Sequence, residues 1–81
     1  MQIIYLRVAQ KALARSNKRA LIVNKLEQLA HNPDAMKNNI TQLKGREEMR
    51  LRVQNWRIIF IINDDTITVQ EIAPRSSVYE D

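Results

Sequence analysis

Three strand-like runs follow one another in the second half of the chain, with very short turns between them. They cover Met49 to Gln54, Trp56 to Asn63 and Thr66 to Ile72, and are rich in Ile, Val and Thr. Gln54-Asn55 and Asn63-Asp64-Asp65 are predicted turns, because Asn and Asp tolerate left-handed backbone conformations. Connections this short join antiparallel neighbours, since parallel strands need a long crossover. The pattern therefore predicts an antiparallel meander.

Two of these runs also indicate which faces of the sheet are buried. Apolar and cationic residues alternate strictly from Met49 to Val53. One face of this strand is therefore buried, and the other carries Arg50 and Arg52. The run Ile58 to Ile62 is apolar at every position, which is typical of a central strand that is covered on at least one side.

The N-terminal part of the chain predicts one strand and two helices. Gln2 to Leu6 is strand-like, and Val8 to Arg15 consists mainly of good helix formers. Apolar residues at helical spacing predict a second helix from about Lys18 to His31. Ser16 and the following Asn can accept hydrogen bonds from amides at the start of this helix, and Pro33 ends it. The two helices form an αα-hairpin.

The order of elements predicts the fold class. Pro33 to Gln42 is polar and is predicted to be a connector, with one helical turn near Asp34 to Lys37. Gly45, the one glycine, precedes a strand and indicates a positive φ or a close backbone approach. The resulting order β-α-α-β-β-β predicts an α+β domain in which the αα-hairpin packs on one face of an antiparallel sheet of about four strands.

Composition limits the domain count and the chemistry. With 81 residues, the chain has room for one domain, spanning residues 1–81. It has no cysteine and a single histidine, His31, which excludes thiolate catalysis, histidine-pair chemistry and metal sites built on these residues. We expect no cofactor. The start of the chain lacks a secretory apolar region, so a cytoplasmic location is expected.

The excess of basic residues favours an anionic partner. Thirteen Lys and Arg against nine Asp and Glu give a net charge of +4. Arg57 lies one tight turn away from Arg50 and Arg52, so the three guanidinium groups can gather around one phosphate in an antiparallel hairpin. The alternative is a solvated strand face whose arginines pair with carboxylates, namely Glu47, Glu48 and Glu71.

Three other side chains have both a functional and a structural interpretation. Trp56 can stack an unpaired base beside the arginines, or it can pack in the core or at the sheet edge. Tyr79 can act as a base if clustered arginines lower its pKa, or it can belong to a frayed terminus. His31 is better explained by its position near the C-terminal end of a helix than by catalysis.

Taken together, these segments resemble the RelE/ParE superfamily of bacterial toxins from type II toxin-antitoxin systems. The resemblance spans nearly the whole chain, and it depends on the order and spacing of the segments rather than on any one of them. The segments that carry it are Leu43-Lys44-Gly45, Arg50-Leu51-Arg52, Trp56-Arg57-Ile58-Ile59-Phe60, Asp64-Asp65 and Arg75-Ser76-Ser77-Val78-Tyr79.

The resemblance implies roles for individual residues. Arg50 and Arg57 would hold a scissile phosphate, Arg75 would neutralise the phosphorane or the leaving group, and Tyr79 would be the base or a stacking partner. Glu48 is a weaker candidate for the base, with Glu47 beside it. RNA contacts are expected from Arg52, Trp56, Lys44 and Arg46. Arginine stays protonated, so these roles are electrostatic.

The superfamily has two functional branches. RelE-like members cleave mRNA in the ribosomal A site with the RNA 2′-hydroxyl as nucleophile, whereas ParE-like members inhibit DNA gyrase. The closing segment from Arg75 to Tyr79 is more similar to the RelE-like branch, although this chain has Pro74 where many members have His. A toxin that only binds its antitoxin is the third possibility. In each case the resemblance implies a cognate antitoxin, and contact with operator DNA only through that antitoxin.

Overall fold

The computed structural model describes residues 1–74. These residues form two helices, a 3-10 helix and five strands, all within an α+β architecture. The elements are β1 (Gln2–Tyr5), α1 (Arg7–Arg15), α2 (Arg19–His31), the 3-10 helix (Pro33–Asn39), β2 (Ile40–Gln42), β3 (Met49–Val53), β4 (Trp56–Asn63) and β5 (Thr66–Pro74).

The sheet contains the predicted meander at its centre. Its strand order is β1-β5-β4-β3-β2, and β2, β3, β4 and β5 pair antiparallel in sequence. β1 differs from the expectation, because it pairs parallel with β5, with Gln2 opposite Thr66 and Tyr5 opposite Val69. The rest of the chain forms the long connection that a parallel pair requires. The sheet is therefore mixed.

The predicted connector is more ordered than its polar composition indicates. The 3-10 helix covers seven residues rather than one turn, and the segment then enters β2, which is the fifth strand. Ile40 packs against the core, while Thr41 and Gln42 are exposed. A strand of three residues with one apolar side chain is too short to show alternation, so the sequence pattern could not reveal it.

Both helices pack on one face of the sheet, as predicted. The core combines apolar residues of α1 and α2 with those of β3, β4 and β5 that point toward the helices. Fully buried members include Ala9, Ile22, Leu26, Leu51, Ile58, Phe60, Ile67 and Val69. Between the helices, the Oγ of Ser16 accepts a hydrogen bond from the backbone N–H of Lys18 at 2.9 Å, one residue before α2 begins, and the start of α2 itself has no side-chain cap.

The turns contain the left-handed backbone that the sequence indicates. Asp64 and Asp65, between β4 and β5, have φ values of 50° and 62°, as a type I′ hairpin turn requires. Gly45 has a φ of 73°, and a Cβ at that position would meet nothing within 4 Å, so conformation rather than space favours glycine. Within residues 1–74, no helix is long and apolar enough to cross a membrane.

Candidate functional site

Arg50, Arg52 and Arg57 lie together on the face of the sheet opposite the helices, which we call the arginine face. In the register of β3 and β4, Arg52 is directly opposite Arg57, and Arg50 is opposite Ile59. Residues opposite each other in an antiparallel pair have Cβ atoms about 4.5–5.5 Å apart. Their neighbours Leu51, Val53 and Ile58 point into the core on the other side. The structure thus brings together the three arginines that the alternation predicted.

Part of the arginine face is shielded from water. Ile59 lies between Arg50 and Glu71 in the sheet register, and only 7% of its surface is exposed. The Nε atom of Arg57 is also buried. Charges act over a lower effective dielectric constant in such surroundings, so they interact more strongly with an anion than exposed charges do.

Among the described residues, Arg50 and Arg52 form no salt bridge with a carboxylate, so the alternative interpretation does not hold for these two arginines. Across residues 1–74, the one salt bridge joins Arg46 Nε to Glu48 Oε1 at 3.2 Å. Both of its side chains are partly solvent-exposed, so this pair contributes at most about 1 kcal/mol. Arg50 and Arg52 remain available to an external anion.

A polar groove adjoins the arginine face. It encloses about 410 Å³ between the end of the 3-10 helix, the edge strand β2 and the turn that joins β3 to β4. Its lining residues are Asn38, Asn39, Thr41, Arg50, Arg52 and Gln54. The volume falls in the range of about 300–1,000 Å³ that is typical of ligand pockets. The groove thus offers two guanidinium groups together with neutral hydrogen-bonding groups.

The acidic candidates lie at the other end of β3. Glu48 precedes Met49, and four residues of extended strand place its backbone about 14 Å from Arg52. It lines a separate cavity with Gly45, Arg46 and Glu47, and Arg46 holds its carboxylate. The structure therefore does not bring Glu48 to the Arg52 and Arg57 pair.

The basic residues of the turn between β2 and β3 also lie away from the groove. Lys44 and Arg46 are exposed, and the backbone carbonyl of Arg46 accepts a hydrogen bond from Gln42 Nε2 at 2.9 Å. This hydrogen bond fixes the turn. As RNA contacts, Lys44 and Arg46 stay a prediction.

Trp56 lies on the opposite face from the arginines. It pairs with Val53 across the hairpin and packs against the core cluster. Because successive residues of a strand point to opposite faces, its ring and the Arg57 side chain diverge. This placement agrees with the core interpretation of Trp56, and its contact with RNA stays a prediction.

Two predicted site residues, Arg75 and Tyr79, lie outside the described residues. Their roles therefore stay predictions. His31 is the last residue of α2, the position that the helix-end interpretation requires. Among residues 1–74, no group of three or more His, Asp or Glu side chains is placed to hold a metal ion.

Four groove residues were missed by the reasoning from sequence: Asn38, Asn39, Thr41 and Gln54. The two asparagines and the threonine fall in the segment that the sequence presents as a connector. The one sequence feature that could have indicated a polar groove here is the run of polar residues on both sides of Ile40. Gln54 was predicted as a turn residue, but nothing in the sequence indicated that its side chain faces a groove.

Solved structures with this fold include several bacterial and archaeal toxins. RelE in the RelE-RelB complex from Pyrococcus horikoshii superposes with a TM-score of 0.76 at 21% identity, over 91% of this chain and 93% of that chain. The isolated RelE toxin of Escherichia coli gives 0.74 at 19% identity, over 98% and 90%. A mutant form of E. coli YafQ gives 0.70 at 15% identity, over 96% and 97%. These similarities establish the fold.

The family is shown by the sequence itself. The model of the ParE toxin of type II toxin-antitoxin systems, parDE, matches residues 2–79. No curated protein matches the chain. The family match covers nearly the whole chain and agrees with the RelE-like fold of the described residues. The chain therefore belongs to the ParE toxin family, within the RelE/ParE superfamily of type II toxin-antitoxin toxins.

Proposed function

We propose that this toxin is a ribosome-dependent endoribonuclease that cleaves mRNA in the A site and so inhibits translation. The observation that carries the proposal is the placement of Arg52 directly opposite Arg57, with Arg50 beside them at an open polar groove. Guanidinium groups bind phosphate oxygens in a planar, often bidentate geometry and keep their charge. Three of them around one phosphate suit a phosphodiester that becomes more negative during reaction.

The reaction needs charge stabilisation and two proton transfers. The 2′-hydroxyl oxygen forms a bond to the adjacent phosphorus as its proton leaves to a base. The bond from phosphorus to the 5′ oxygen of the next nucleotide then breaks, and that oxygen takes up a proton from the protonated base or from water. The products are a 2′,3′-cyclic phosphate and a 5′-hydroxyl. The three arginines stabilise the pentavalent intermediate, in which negative charge accumulates.

The proton transfers are assigned to the end of the chain. Glu48 is paired with Arg46 and lies about 14 Å along the strand from Arg52, so Tyr79 is the preferred base. Arg75 would neutralise the phosphorane or the leaving group. Both assignments come from the superfamily resemblance of the segment from Arg75 to Tyr79.

A noncatalytic ParE-like inhibitor of DNA gyrase is the second candidate. The observation that favours it is the family match itself, since the matching model is that of ParE toxins. An inhibitor of this kind needs a binding surface but no base, and the arginine face could serve as that surface. A toxin that retains only antitoxin binding is the third candidate.

We also propose a cognate antitoxin as partner. Several structural relatives are complexes of this kind, including RelE-RelB from Pyrococcus horikoshii and DinJ-YafQ from E. coli. With a net charge of +4 on the whole toxin, an acidic antitoxin segment fits the arginine face, and the helical hairpin is the other candidate surface. Operator DNA would be contacted only through the antitoxin, and the complex would act in the cytoplasm.

Cleavage of a translated message tests the proposal. Purified toxin is added to a cell-free translation reaction, and the length of the reporter mRNA is followed on a gel. The unmodified toxin shortens the message only when ribosomes translate it. Arg57→Ala slows cleavage about 100- to 1,000-fold, the usual effect of removing one charge-stabilising group.

The matched control is Arg15→Ala, which removes the same charge from the exposed end of α1. It should leave cleavage unchanged. Gyrase supercoiling is measured with the same proteins. Intact translated mRNA together with inhibited supercoiling would replace the endonuclease proposal with the ParE-like one, and no effect in either assay would favour a toxin that only binds its antitoxin.

A further inference from the structure

The groove beside Arg50 and Arg52 is also lined by neutral polar side chains, which phosphate binding does not require. Three of its six lining residues, Asn38, Asn39 and Gln54, carry side-chain amides, and Thr41 adds a hydroxyl. No carboxylate is among these lining residues, so nothing in the lining repels an anionic nucleotide. The lining therefore combines cations with groups that both donate and accept hydrogen bonds.

The strand register places these groups next to the arginines. Thr41 is opposite Arg50, and Ile40 is opposite Leu51. Asn39 is the last residue of the 3-10 helix, directly before Ile40, and it lines the groove together with Arg52. The end of the 3-10 helix and the strand whose Arg52 faces Arg57 therefore line the same groove.

Gln54 supplies an independent observation. It sits in the two-residue turn between Val53 and Trp56 with a φ of 54°, a conformation that glycine or asparagine adopts more easily. Its side chain nevertheless lines the groove. Strained residues of this kind concentrate at ligand sites, where the side chain is needed more than local stability.

We propose that Asn39 and Gln54, with Asn38 at the rim, form a nucleobase subsite that prefers adenine next to the phosphate held by Arg52 and Arg57. A side-chain amide pairs with adjacent donor and acceptor atoms on one base edge, and Asn and Gln recognise adenine best in this way. Unpaired RNA presents such edges freely. This inference rests on the proposed function, because it assumes an RNA substrate. It adds that the nucleotide next to the bound phosphate carries adenine.

Nuclear magnetic resonance of the purified toxin tests the subsite without any cleavage. The four nucleoside 5′-monophosphates and inorganic phosphate are titrated separately, and the side-chain NH₂ signals of Asn38, Asn39 and Gln54 are followed. Adenosine monophosphate should shift these signals, and inorganic phosphate should not. Its dissociation constant should be about 5- to 10-fold lower than those of the pyrimidine nucleotides, the lower range for one amide-base pair.

Two variants separate base recognition from folding. Asn39→Ala and Gln54→Gly should bind all four nucleotides with nearly equal affinity. Gln54→Gly should also raise the thermal midpoint, because glycine adopts the positive φ without strain. The matched control is Asp65→Gly, which relieves a φ of 62° in the turn between β4 and β5 and should keep the adenine preference.

The outcomes distinguish the subsite from the proposed reaction. Equal affinities for the four nucleotides in the unmodified toxin, or a preference that survives Asn39→Ala and Gln54→Gly, would overturn the subsite even if translated mRNA is cleaved. An adenine preference that these variants abolish supports the subsite even if translated mRNA stays intact. In that case the endonuclease proposal is wrong, but the adenine subsite is still supported.

Discussion

Arg52 and Arg57 lie directly opposite each other on β3 and β4, an arrangement that lowers stability because like charges repel. An anion bound between them replaces the repulsion with two attractions. The pair therefore suits a state in which a phosphate or an acidic partner is present. Selection for folding alone would favour a neutral residue at one of these positions.

Arg52→Thr tests this conflict between stability and function. Removing the repulsion, and placing a β-branched residue in a strand, should raise the free energy of unfolding by about 0.2–1 kcal/mol. Urea denaturation measures the change. The control is Arg50→Thr, made at a position opposite Ile59, where the gain should be smaller. A lower free energy of unfolding for Arg52→Thr would show that the arginine stabilises the fold instead.

Tyr5 has a pKa above its ordinary value of 10.0, first because burial disfavours the phenolate and second because the Glu27 carboxylate repels it. With the folded-state pKa raised, the contribution of Tyr5 to stability is complete below pH 10. It is lost as the pH rises above 10, because the unfolded chain ionises first. Stability should therefore fall in this window.

Urea denaturation on both sides of pH 10 measures that loss. Tyr5→Phe should lose less stability than the unmodified toxin above pH 10, because it has no phenol to ionise. Glu27→Gln should reduce the loss in part, since it removes the smaller cause of the raised pKa. An identical pH dependence in all three proteins would contradict this account of Tyr5.

The segment that connects the two helices contains a hydroxyl that is mostly buried. Ser16 is mostly buried, and its Oγ accepts a hydrogen bond from the Lys18 N–H at the start of α2. Ser16→Ala should lower the free energy of unfolding by about 0.5–1.5 kcal/mol, the usual net contribution of one hydrogen bond. Thermal denaturation checks it, with Asn17→Ala as the exposed neighbouring control. A loss as large in the control would assign the effect to helix propensity.

Elements with a local pattern could be predicted from the sequence. The helices and the β3 to β5 meander have clear periodicity, and the turn at Asp64-Asp65 has the residues that its geometry requires. β2 and the parallel pairing of β1 could not be predicted. β2 is too short for a pattern, and strand pairing across most of the chain depends on tertiary packing that no local signal reports.

Some residues of the candidate site could likewise be predicted from a local sequence pattern, and others could not. Arg50, Arg52 and Arg57 could be found, because alternation fixes their face and a two-residue turn fixes their register. Asn38, Asn39 and Thr41 could not, since they reach the groove only through the pairing of β2. For Trp56 the sequence left two interpretations open, and its pairing with Val53 and its packing against the core agree with the core interpretation.

At the scale of the whole molecule, charge governs the encounter with RNA. Each phosphate neutralised on a single strand contributes about −0.7 to the slope of log affinity against log salt concentration, so the one phosphate held by the three arginines predicts a contribution near −0.7. Fluorescence anisotropy with a single-stranded RNA measures it. Arg57→Ala should reduce the magnitude of the slope by up to about 0.7, whereas Arg15→Ala should leave it nearly unchanged. Equal slopes for all three proteins would remove the arginine face from the RNA interface.

The chemistry of the cut ends tests the central claim most directly. Primer extension on a reporter mRNA translated with purified toxin should stop at positions locked to the reading frame, and the upstream fragments should end in 2′,3′-cyclic phosphates. Arg57→Ala and Tyr79→Phe should abolish these stops, while Arg15→Ala keeps them. Full-length mRNA in a reaction where the toxin still blocks translation, or stops that persist in Arg57→Ala, would contradict phosphate binding and cleavage at the arginine face.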